Sequence, residues 1–369
     1  MRKRIGFIVN PIAGMGGAVG LKGTDGPALD EARRRGAMPV ASERALQALG
    51  ILAVHAKKFE FLTASGAMGE SQCRNAGILS QIVYTAPLSA TRAADTMRAA
   101  TAMRATGVDL ILFAGGDGTA RDVFDTIGAD VPILGIPAGV KMHSAVFATS
   151  PRSAAHLLLR LVNKIGEPPQ LRDAEIMDGV SAPGSAKLYG YARVPHVPLL
   201  LQSAKAARPP DDDADVEAAC RDVAALASDG GTSIVGPGTT MRRIKHLLGA
   251  EGTLLGVDAY RAGKPVGLDL RASDLLRIAC EGPARIIVGV VGGQGYLFGR
   301  GNQQISADVI RAVGKENIVV IASLSKLLML EQPCLLLDTF DPDVDRALAG
   351  YISVVTGAGR RTLMRVAAP

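Results

Sequence analysis

"LILFAGGDGTARDVFDTI", residues 110–127, is the stretch whose reading decides the fold. Leu110 to Ala114 form an apolar run of strand length that stops abruptly at glycine, the pattern of a strand buried on both faces of a parallel sheet. "TARDVFDTIGA" (119–129) reads as the helix that follows. A strand that enters a helix through glycine places backbone amides where an anion can be held. One carboxylate, Asp117, stands among Gly115, Gly116 and Gly118. Phosphate alone gives no reason for it. Asp117 either acts on a second group or caps the helix that starts beside it.

The same alternation extends in both directions. "RIGFIVNP" (4–11) is a strand stopped by Asn10-Pro11, followed by the glycine-rich "IAGMGGAVGLKGTDG" (12–26). "SERALQALGIL" (42–52) has helical spacing, with Ser42 as its expected cap. "QIVYTA" (81–86) is a strand, "SATRAADTMRAATAMRATG" (89–107) a helix, "VPILGIPAG" (131–139) a strand and turn, and "SPRSAAHLLLRLVNKIG" (150–166) an amphipathic helix. Residues 1–165 are therefore expected to form a doubly wound α/β domain with ligands at the carboxyl ends of its strands. From residue 166 the elements are shorter, and "RAGKP" (261–265) reads as a hairpin turn. Residues 166–304 are expected to be a β-rich second domain, and 305–369 an α/β segment packed on one of the two. "PPDDDADVEAACRDVAALASDGG" (209–231) reads as one helix whose aspartates cap its positive end.

Composition narrows the function classes. With 48% hydrophobic and 21% charged residues the 369-residue chain is globular. Aromatics are 4% and Trp is absent, which argues against base-stacking surfaces. A net charge of +6 favours anionic ligands, and its scattered basic residues point to phosphorylated small molecules rather than nucleic acid. The four cysteines and five histidines show no metal-ligand spacing. The opening apolar run is too short for a signal peptide, and glycines break "ARIIVGVVGGQGYLF" (284–298) below spanning length. A cytoplasmic protein that does not enter a membrane is expected.

Neither glycine-rich loop near the N-terminus has a standard phosphate spacing, since Val19 replaces the third glycine of GxGxxG and Leu21 spoils a Walker A match. GGDGT (115–119) does match a known pattern. It resembles the signature shared by NAD kinases and by diacylglycerol and sphingosine kinases, whose nucleotide domain is related to that of phosphofructokinase. "VNPIAG" (9–14), "LGIPAGVKMHSAVFA" (134–148), "GPGTT" (236–240) and "GGQGYLFGRGNQQIS" (292–306) follow the order seen in the ATP-NAD kinase-like group that includes AcoX-type proteins. The resemblance covers nearly the whole chain.

It implies an ATP-dependent kinase, with Mg²⁺ and with NAD as substrate, that phosphorylates the adenosine ribose 2′-hydroxyl. Inorganic polyphosphate is an alternative donor in the superfamily. Asp117 would be the base facing that hydroxyl, and Gly115, Gly116 and Gly118 would bring amides to phosphate. Thr119 is either a phosphate donor or a helix cap, and Asn10 either fixes the turn or reaches the nucleotide. Asp122 is either a Mg²⁺ ligand through water or a solvated acid. Gly139, Lys141 and His143 belong to the third loop of the sheet and are assigned to nucleotide binding. Lys22 and Asp25 are either triphosphate and metal contacts or surface residues. Thr239 and Thr240 are assigned to the acceptor, with a helix cap as the alternative. Arg300 and Asn302 are also assigned to the acceptor, and with Gln303 and Gln304 they suggest ligand recognition, with an oligomer contact as the alternative.

The sequence departs from ordinary NAD kinases in lacking their long Gly/Thr/Ser acceptor block and an Asn-Glu pair, for which "DAEIMD" (173–178) is a candidate replacement. A kinase for another hydroxyl acceptor and a non-catalytic nucleotide-binding regulator remain as alternatives. The resemblance leaves room for a homo-oligomer, which no sequence feature specifies.

Overall fold

The computed structural model describes residues 2–21, 27–87, 91–140, 142–162, 169–179, 186–197, 200–201, 213–249 and 251–368. The chain divides into two compact units: Met1–Met15, Gly23–Arg33 and Met38–Ala204 form one, and Gly16–Lys22, Arg34–Ala37 and Lys205–Pro369 the other. Among the described residues, no helix is long and apolar enough to cross a membrane.

The first unit is built on five parallel strands: β1 (Lys3–Val9), β2 (Phe59–Ala64), β3 (Ser80–Tyr84), β4 (Leu110–Gly115) and β5 (Ile133–Pro137), in the order β3-β2-β1-β4-β5. Its helices are α1 (Pro27–Arg34), α2 (Ala41–Ala53), α3 (Glu70–Asn75), α4 (Ala93–Ala105), α5 (Asp117–Ile127) and α6 (Pro151–Val162). Strand β4 shows why its sequence is apolar throughout. Leu110, Leu112 and Ala114 enter the core beneath α2 and α6, while Ile111 and Phe113 enter the one beneath α4 and α5. Side chains alternate across a strand, so two covered faces require a continuous apolar run. Ser42 is not the cap of α2. The helix starts a residue earlier after Val40, and Ser42 Oγ accepts from Gln72 Nε2 at 2.9 Å instead.

Near residue 166 the pattern changes from parallel sheet to hairpin, and the first unit continues to Ala204. Strands β6 (Gln170–Gly179) and β7 (Ala186–His196) pair antiparallel, with Ala174, Ile176, Ala192 and Val194 turned into the core of α4 and α5.

The second unit contains α7 (Asp213–Ala227), β8 (Thr232–Val235), α8 (Thr239–Leu247), β9 (Asp258–Arg261), β10 (Lys264–Gly267), α9 (Ala272–Cys280), β11 (Ala284–Gly289) and α10 (Ala307–Val313). It continues with β12 (Ile318–Ile321), α11 (Leu324–Leu328), β13 (Cys334–Leu336), α12 (Pro342–Leu348), β14 (Gly350–Gly357) and β15 (Arg360–Ala367). One eight-stranded sheet, ordered β10-β9-β8-β11-β12-β14-β15-β13, carries all its described strands, so the segment from Ile305 onward is part of this unit. The central strands β8, β11, β12 and β14 are parallel. The expected hairpin joins β9 to β10 through Ala262 and Gly263, both at positive φ (49° and 75°), which matches the strand twist. Of the aspartate run, Asp211 and Asp212 lie outside the described residues, and α7 begins at Asp213.

Candidate active site

The first unit's sheet reverses its winding between β1 and β4. Helix α2, on the connection from β1 to β2, packs on one face, and α5, which follows β4, packs on the other. Adjacent strands whose connections part in this way leave a crevice outside their carboxyl ends, the usual ligand position of an open α/β sheet. Asn10 and the GGDGT loop flank that point. Asn10 donates from its backbone to the Ala114 carbonyl at 2.9 Å and from Nδ2 to Thr119 Oγ1 at 2.9 Å. Its Oδ1 accepts the Ile12 amide at 3.2 Å. Thr119 is 2% exposed, so its hydroxyl ties α5 to the end of β1 and does not cap a helix.

The three loops lock together through glycine. The amides of Ala138 and Gly139 donate to the Gly115 carbonyl at 2.9 and 3.1 Å. A side chain on Gly115 would start 2.4 Å from Thr119 Oγ1, and one on Gly139 only 2.8 Å from the Gly116 Cα. Those contacts exclude any larger residue without movement of backbone or of the Thr119 tie. Gly118 is different, since Arg121 Nη2 at 3.8 Å is the only atom a Cβ there would meet. Gly116 is the residue before α5, and Ala120 to Gly116 at 3.0 Å is the helix's first bond, so the amides of 117–119 have no acceptor within the helix.

Asp117 is the first residue of α5 and not its cap. Its Oδ2 accepts the His143 amide at 2.7 Å and its Oδ1 the Ser144 amide at 3.1 Å, and the Ser144 hydroxyl is a third donor. The carboxylate therefore brackets the loop after β5 to the loop after β4. Burial pushes its pKa up, against the pull of those three donors and of Arg121 one turn along the helix. The net rise makes Asp117 a better proton acceptor than an exposed aspartate.

In the second unit, GPGTT joins β8 to α8 as its sequence suggested. Gly238, at φ 115°, precedes the helix, its amide bonded to the Leu254 carbonyl at 2.8 Å, and Thr239 is exposed in the first turn. Arg300 and Asn302 have internal duties. Arg300 is buried against Asp338 at 2.5 Å and stacks over the Tyr296 ring, centroid 4.5 Å away. Asn302 accepts the Gly299 amide and donates to the Leu297 carbonyl, both at 2.9 Å. Gln303 and Gln304 are buried as well.

Two family models match the chain: the ATP-NAD kinase N-terminal domain over residues 5–166 and the ATP-NAD kinase C-terminal domain over residues 228–366. The chain belongs to the ATP-NAD kinase family. The first match contains the whole switch-point crevice with Asn10, Asp117 and His143, and the second contains Thr239 and Thr240. Among curated proteins, none matches the chain. Membership of the ATP-NAD kinase family makes the chain a phosphotransferase that acts on small nucleotide substrates.

The remaining expectations sort by position. Lys141, Lys22 and Asp25 lie outside the described residues. His143 contributes its backbone amide to Asp117. Asp122, five residues after Asp117, points about 140° further round the helix at 100° per residue, so the two carboxylates do not share a face. Among the described residues no group of three or more His, Cys, Asp or Glu is placed to hold a metal ion. The described side chains do not build a protein cage for Mg²⁺, which in kinase sites binds mainly through substrate phosphates and water. Ser144 is the residue that sequence reasoning missed. It lies within "LGIPAGVKMHSAVFA" (134–148), but no spacing rule links it to a carboxylate 27 positions earlier.

Proposed function

We propose that this ATP-NAD kinase family member transfers the γ-phosphoryl group of ATP, supplied as its magnesium complex, to the adenosine ribose 2′-hydroxyl of NAD. The observation that carries the reading is Asp117. It is a half-buried carboxylate with raised pKa, at the mouth of a glycine loop whose helix-start amides lack intrahelical acceptors. Those amides, on Asp117, Gly118 and Thr119, would hold phosphate oxygens as a helix N-terminus does. Asp117 would take the hydroxyl proton as the ribose oxygen bonds to the γ-phosphorus. The bond from that phosphorus to the bridging oxygen breaks, and ADP leaves with its electron pair. Such transfer needs mostly positioning and charge stabilisation, with one group to orient or deprotonate the nucleophile.

Asn10 and Gly139 support the loop rather than touch phosphate in this reading, and Thr239 and Thr240 are the acceptor candidates left accessible. A second acceptor class, another small hydroxyl compound, is favoured by one observation. Arg300 and Asn302, assigned to the acceptor from sequence, are committed to Asp338 and to backbone. The test is NADP formation from NAD with ATP or polyphosphate and Mg²⁺, alongside Asp117→Asn. Product from the wild type and a loss of roughly 10²–10⁴-fold in the variant are expected. A variant at wild-type rate removes Asp117 from the chemistry.

A further inference from the structure

We propose that Ser144 is a positioning residue for Asp117: its hydroxyl, aimed by the Met177 amide, holds the carboxylate with one acceptor position open for a substrate hydroxyl. The inference rests on the reading of Asp117 as the base.

Ser144 is fully buried in the segment after β5. Its Oγ accepts the Met177 amide at 2.9 Å. With a lone pair occupied from that side, the hydroxyl is turned so that it donates to Asp117. The Met177 amide leaves β6 on the side away from β7, the side to which the Glu175 carbonyl two residues earlier also points, as strand alternation requires. The adjoining Ala145 amide donates to the Glu175 carbonyl at 2.8 Å, fixing the same segment to β6 twice.

A carboxylate offers about four acceptor positions. Among the described residues, the amides of His143 and Ser144 and the Ser144 hydroxyl fill three. A base with one position left receives one proton from one direction. Among the described residues one charged group acts on it directly. Arg121 of α5 favours the ionised form and is itself paired with Asp178 of β6 at 2.5 Å, while His143 meets the carboxylate through its amide. The strand β6 thus reaches Asp117 by two routes, through Ser144 and through Arg121.

The test compares wild type, Ser144→Ala, Ser144→Thr and Asp117→Asn by carboxyl-labelled aspartate NMR and by steady-state kinetics across pH. The Asp117 resonance is assigned by its absence in Asp117→Asn. In Ser144→Ala the Asp117 titration and the acid limb of kcat/KM should both move to higher pH. Losing a hydrogen bond to a charged group should also lower kcat about tenfold, with nucleotide KM within about twofold. Ser144→Thr, which keeps the hydroxyl, should restore both. Should the alanine variant not fold, Ser144→Cys keeps the size with a weaker donor and should show a smaller shift of the same sign. An unmoved Asp117 titration and acid limb in a folded variant overturn the proposal. Wild-type turnover by Asp117→Asn would instead overturn the base reading, with the titration shift of Ser144→Ala still standing.

Discussion

Asp117 sits between opposed influences, burial on one side and three hydrogen-bond donors with Arg121 on the other, and burial prevails. A base must be ionised to work. Turnover should therefore fall as pH drops through a value above that of a free aspartate, about 3.9, with unit slope in log kcat/KM. An acid limb at or below the ordinary value would contradict the assignment. The presence of Asp117 among glycines was legible in the sequence because a charge where a buried strand ends has no packing role. What it touches was not legible. Its partners stand 26 and 27 residues away and contribute mainly backbone amides, which leave no trace in side-chain spacing. Arg300 shows the same limit on a side chain. A guanidinium in a glycine run reads as ligand recognition or an oligomer contact, and only the fold reveals Asp338, 38 residues on, as its buried partner.

At the scale of elements, three strand-end loops act as one object because glycine lets their backbones meet. Gly139→Ala places a methyl group 2.8 Å from the Gly116 Cα and 2.9 Å from Met142 Cγ. Overpacking of that kind should cost about 1–3 kcal/mol in thermal or denaturant unfolding. Gly118→Ala, with nothing nearer than 3.8 Å, should stay within about 0.5 kcal/mol of wild type. Equal losses in the two variants would mean that the loops do not depend on close approach. The parallel sheet of the first unit was readable because β1, β4 and β5 carry apolar runs that alternate with helices, whereas β2, interrupted by Glu60, was not read as a strand. The parallel centre of the second unit was not, since β8 and β12 have four residues each, too few to show a period.

Across the whole molecule each unit carries its own core on both faces of its sheet, and the second adds a buried charge pair. Lys245 Nζ lies 2.9 Å from Asp258 Oδ2 and donates to the carbonyls of Thr253 and Gly256 at 2.8 and 3.0 Å. Both side chains are fully buried. They pin the loop whose Leu254 carbonyl holds the Gly238 amide ahead of α8. Lys245→Met would leave Asp258 buried without its counter-charge, and should cost about 3–5 kcal/mol in urea unfolding of the second unit. An unchanged midpoint would show that the loop holds without the pair. The measurement that bears most directly on the account is NADP formation by the purified protein with ATP, Mg²⁺ and NAD, run beside Asp117→Asn. The account predicts product from the wild type and a loss of at least about a hundredfold in the variant. A wild type that binds ATP yet makes no NADP would contradict NAD as the acceptor, and a variant as fast as wild type would contradict Asp117 as the base.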